Sequence, residues 1–141
     1  MSMNNSEQND QAEEALKQLE ERLKECKDND DSNGRGQTLF EMAQIEISRE
    51  NKEGALLMLI EAYALVKDLG DLSYICPIGE LLGQLLYVSG SRVEGLNMVG
   101  ESLAGLKEMG SDDEAANTEH LLDAMIAHSL ANPLPEEDAD S

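Results

Sequence analysis

"EAYALVKDLG" (61–70) and "ESLAGLKEMG" (101–110) end alike, forty residues apart. Lys67, Leu69 and Gly70 return as Lys107, Met109 and Gly110, and Asp68 returns as Glu108 with its charge kept. Laid over one another, 39–70 and 79–110 also agree at Gln44/Gln84, Leu56/Leu96, Met58/Met98, Glu61/Glu101 and Ala64/Ala104. Met42/Leu82, Ile45/Leu85 and Leu59/Val99 exchange one apolar residue for another. The same offset carries Ala15, Leu16, Leu19, Glu21 and Lys27 onto Ala55, Leu56, Leu59, Glu61 and Lys67, and Leu82 and Leu86 onto Leu122 and Ile126. A fixed period in this range is the signature of stacked repeats, each burying its apolar face on its neighbours.

Each period holds two helices. Strong helix formers dominate and β-branched residues are few, which disfavours strands. Capping boxes at Ser91-x-x-Glu94 and Ser111-x-x-Glu114 mark helix starts, with weaker signals at Asp10-x-x-Glu13 and Asn51. Gly70, Gly90 and Gly110 stand where helices should end. The pattern predicts an all-α antiparallel array of about six helices near 10–28, 37–50, 52–69, 74–89, 92–109 and 112–131. Pro77 must then fall in the first turn of its helix. Segments 1–9 and 132–141, the second reading "NPLPEEDADS", are expected to be disordered tails around a single repeat domain at 10–131. The first helix has one stripe, Ala12, Ala15/Leu16, Leu19, Leu23 and Cys26, as a half-exposed end helix should. "GALLMLIEAYALV" (54–66) and "IGELLGQLLYV" (78–88) are apolar nearly all round and are expected to be covered on two sides, while the last helix is amphipathic again.

The chain resembles the tetratricopeptide repeat family, in a longer variant whose repeat is about forty residues. The resemblance rests on small residues spaced twelve and then seven apart, Ala43, Ala55, Ala62 and again Gly83, Gly95, Ser102, and on the shared Lys-acid-apolar-Gly ending. It implies a right-handed superhelix of helix pairs in which the small residues let each pair cross closely. The large aromatic of the family's first helix is replaced by Leu39, Gly79 and Glu119, and the usual proline after the second helix is absent. By the same resemblance, the first helix of each pair lines a concave, partner-binding face. That face would carry Phe40, Gln44 and Ile47, then Glu80, Gln84 and Tyr87, then His120 and His128. It holds no Lys or Arg, so the family's capture of a peptide's terminal carboxylate does not carry over.

Ten basic residues against thirty acidic give a net charge of −20. Such a charge repels phosphate backbones and anionic lipid, which argues against direct nucleic-acid or membrane binding and favours basic partners. Residues 1–70 hold sixteen acidic and eight basic side chains, and residues 71–141 fourteen and two. Cys26 and Cys76 have no second Cys or His at ligand spacing and read as reduced thiols. The start "MSMNNSEQND" lacks a basic region and an apolar run, and "ALLMLI" is too short to span a bilayer, so a cytoplasmic protein is expected.

"NDDSNGRGQTLFE" (29–41) matches the opening of a calcium loop at Asn29, Asp31, Asn33 and Gly34, but Phe40 stands where the closing Glu belongs. It reads as an Asp- and Gly-rich turn. His120 and His128 are too far apart on one helix to share a metal. No nucleophile–base pair or phosphate-cradling loop stands out, and no cofactor or metal is expected. These observations point to a non-enzymatic binding module, an adaptor, scaffold or small chaperone holding a peptide or helix of another protein. An acidic decoy filling the basic groove of a nucleic-acid-binding protein, and a self-associating scaffold, are the alternatives. Phe40 and Tyr87 stand equally as groove anchors or as core.

Overall fold

The computed structural model describes residues 5–135, and those residues form six α-helices and no strand. They are α1 (Asn5–Asp28), α2 (Ser32–Ser48), α3 (Lys52–Lys67), α4 (Leu72–Val88), α5 (Arg92–Glu108) and α6 (Asp112–Ala131). Helix α1 starts at Asn5, so the expected N-terminal tail is helical from there on and Asp10-x-x-Glu13 lies inside a helix rather than at its start. Residues 1–4 and 136–141 of the expected tails lie outside the described residues.

The turns share one construction. Asp30, Glu50, Gly70, Gly90 and Gly110 all have positive φ, one every twenty residues. Each is followed by the N-cap of the next helix: Asp31, Asn51, Asp71, Ser91 and Ser111. Asp31 and Asn51 accept from the backbone N–H of Gly34 and Gly54, and Asp71 from that of Ser73. Ser91 and Ser111 hold the N-cap position but make no side-chain cap bond, so neither capping box forms.

Two further helix starts differ from the sequence reading. Asp31 lets α2 begin five residues before the expected 37. Its early glycines serve close approach rather than a loop: a Cβ on Gly36 would collide with Val66 of α3. Asp71 likewise moves the start of α4 back to Leu72, which leaves Pro77 one and a half turns inside the helix. Having no N–H, Pro77 leaves the Ser73 carbonyl without its usual helical donor.

Consecutive helices pack together, most extensively α2 with α3 and α4 with α5, and α2 also touches α4. The core runs between these pairs, with Leu59, Ile78, Val66 and Val99 fully enclosed. Ala43, Ala55 and Ala62 are 0% exposed where α2 crosses α3. At the α4–α5 crossing a Cβ on Gly83 would stand 2.8 Å from the Gly95 carbonyl oxygen. The expected small residues therefore sit at both crossings, and at Gly83 and Gly95 an added Cβ would meet backbone. Helix α4 is the most enclosed. Helix α3 is covered less than its composition suggests, since Leu57 and Ile60 face outward at 69% and 47% exposure. Helix α1 contributes no fully buried residue and rests on the core through Leu16, Leu19 and Leu23.

Candidate functional site: the face shared by α2, α4 and α6

Helices α2 and α4 are in contact, and α6 is held to α4 by side chains from both of its halves. Near its start, the Thr118 hydroxyl donates to Glu80 at 2.9 Å. Near its end, the Tyr87 hydroxyl donates to the Met125 carbonyl oxygen at 3.3 Å and lies 2.6 Å from His128 Nδ1. The two rings meet edge to face at 5.6 Å, and the Arg92 guanidinium lies 5.2 Å above the Tyr87 ring.

This geometry sorts the expected site residues. Gln44 and His120 are exposed, and Gln84 and Glu80 are half-buried. Phe40 and Ile47 are half-buried and pack against the central core. Tyr87 is 7% exposed, and so belongs to the packing between α4 and α6 rather than to an open groove. The spacing of Glu80, Gln84 and Tyr87 places them on one side of α4. What it does not convey is that α6 covers both ends of that stripe, engaging Glu80 and Tyr87. His128, itself exposed, serves as the partner of Tyr87.

The burial of Thr38 and Thr118 was missed, although Ile78, at the same place in the repeat, lies in a stretch expected to be covered. Thr38, Ile78 and Thr118 stand forty residues apart and are 0%, 0% and 2% exposed. All three are β-branched, and that shared shape on the repeat register was the available signal. Thr38 donates to the Gly34 carbonyl and accepts from Arg22 Nε at 3.0 Å, which ties α1 to α2. Arg22 also pairs with Glu41.

Between α4, α5 and α6 lies a cavity of about 160 Å³ bounded by Cys76, Pro77, Glu80, Leu106, Glu114 and Thr118. Burial pushes the Cys76 thiol pKa up, and Glu114, Glu80 and Glu108 push it further. The Tyr63 phenol is likewise raised by burial, then by Glu101 and Cys76. Among the described residues, no group of three or more His, Cys, Asp or Glu side chains is placed to hold a metal ion, and no helix is long and apolar enough to cross a membrane. The stretch 29–41 is the end of one turn and the first half of α2, with the Asp31 carboxylate engaged as a cap. No family model, curated protein or solved structure is significantly similar to the chain.

Proposed function

We propose that the protein is a non-enzymatic binding module of the tetratricopeptide-like kind, an adaptor, scaffold or small chaperone that receives an extended peptide or helix of another protein. The observation carrying this reading is the shared face itself. Helix α2 touches α4, α4 is bonded to α6, and Gln44 and Gln84 hold equivalent positions of the forty-residue repeat with solvent access. An amide side chain both donates and accepts, so two of them can pair with the main chain of a bound segment whatever its sequence. Phe40 and Ile47 add apolar area beside them, although both are anchored in the core.

The test is capture of partners from the native cell by the wild-type chain and by a Gln44→Ala/Gln84→Ala variant. Gln44 is exposed and Gln84 half-buried, and among the described residues neither makes a side-chain hydrogen bond that holds the helices, so the variant should melt within a few degrees of wild type. The reading expects the captured partner to be lost. Undiminished capture would exclude this face.

The charge of −20 supports a second reading, an acidic decoy for a basic groove. Its complex would weaken steeply between low and moderate salt, whereas an apolar and amide-based contact would not.

A further inference from the structure

We propose that the open flank of α6 is a second docking surface, one that receives a basic amphipathic helix of another protein. The repeat register identifies the flank. In α4, Gly79 and Gly83 face α5: a Cβ on Gly79 would stand 2.9 Å from the Ser102 hydroxyl, and one on Gly83 2.8 Å from both the Gly95 carbonyl and Val99. In α2, Leu39 and Ala43 hold the same register, buried in one cluster with Ala55, Leu59 and Ala62 of α3. Each of these helices thus presents this flank to a following helix. Forty residues beyond Gly79 and Gly83 stand Glu119 and Asp123 of α6, both exposed, and α6 packs only on α5 and α4 among the described residues.

The side chains on that flank describe its occupant. Glu119, Asp123, Ile126 and Leu130 are spaced four, three and four apart, so they form one stripe along α6. Ile126 and Leu130 are 41% and 79% exposed. A helix lying along the stripe must offer apolar residues to its second half and Lys or Arg to its first. The chain's own 132–141 cannot do so, because it carries four carboxylates and no basic residue. A second copy placed with its own α6 here would set like charges against each other, since residues 71–141 hold fourteen acidic side chains and two basic. A foreign basic helix meets both requirements.

The probe is a fluorescein-labelled amphipathic helical peptide whose leucine stripe is flanked by lysines, titrated with the full chain. Reversing Glu119 and Asp123 to Lys should weaken binding by about tenfold. Leu130→Glu should do the same, and the exposure of Leu130 predicts an unchanged melt. Reversing Glu20 and Glu21 on α1 alters the net charge equally and should change binding by no more than about twofold. The Gln44→Ala/Gln84→Ala variant should bind the probe as wild type does, since this flank is separate from the shared face. Equal loss in the α1 variant would show attraction to the overall charge and overturn the proposal, as would undiminished binding by Leu130→Glu. Sedimentation of the unmixed protein as a dimer that Leu130→Glu dissociates would overturn it too, by making a second copy the occupant.

Discussion

The Tyr87 hydroxyl and His128 Nδ1 are 2.6 Å apart, a bond between α4 and the last turns of α6 across forty-one residues of chain. With the Met125 carbonyl at 3.3 Å and Arg92 over the ring, Tyr87 is the residue that seats the end of α6. Tyr87→Phe removes the polar contacts and keeps the ring, and should cost about 0.5–1.5 kcal/mol in urea unfolding. Tyr87→Ala removes the ring as well and should cost about 3–5 kcal/mol. A Tyr87→Ala variant with wild-type stability would mean that α6 does not rest on α4 in this way.

Gly83 and Gly100 both lie inside helices, yet alanine should act on them in opposite directions. At Gly83 the new methyl meets the Gly95 backbone and Val99, so the α4–α5 crossing must widen, at a cost of about 1–3 kcal/mol. At Gly100 nothing lies within 4 Å, and better helix propensity should stabilise by about 0.5–1 kcal/mol. Melting temperatures of the two single variants check the pair of signs together.

Glu50 has φ of 64° and Gly70 of 74° at equivalent turns. Glu50→Gly relieves the clash of a side chain in left-handed backbone and should gain about 0.5–1 kcal/mol. Gly70→Ala introduces that clash and should lose about 1–2 kcal/mol, even though its Cβ would meet no neighbour. Equal stability of both variants would show that these turns carry no such strain.

Stability should decline at alkaline pH because of Cys76. Burial and the nearby Glu114 raise its thiol pKa, so the folded chain keeps a proton that the unfolded chain releases near 9.0. The unfolded state then binds fewer protons, and unfolding becomes easier as pH rises. The contribution is complete below that value and fades above it. Cys76→Ala should flatten the stability profile from about pH 9, while the raised Tyr63 phenol leaves a residual slope from about pH 10. An unchanged slope in the variant would remove Cys76 as the cause.

The repeat, the helices and the small residues at both crossings were legible because each leaves a periodic mark. Gly70, Gly90 and Gly110 announced three turns. Asp30 and Glu50 make the same turn unannounced, since packed helices on either side hold them in a conformation that their side chains disfavour. The composition of "SNGRG" (32–36) reads as a loop, yet Gly36 is there so that α2 can lie close to α3. Tyr87 shows a different limit. A helical stripe reveals which side chains point together, whereas whether another helix lies over them depends on the path of α6. That path is set by Thr118, Met125 and His128, none of which matches a motif.

The even spacing of the turns bears on how such a chain can change length. Glu50 and Gly90 both have positive φ, and Asn51 and Ser91 are both N-caps of the helix that follows. Removing 51–90 would join Glu50 to Ser91 without altering the junction, and would bring Ala43 opposite Gly95 and Ser102, small against small. Copying the same block would add a helix pair by the same junction. A block of forty residues is thus the step by which an array built this way would gain or lose a helix pair while each remaining pair keeps its own fit.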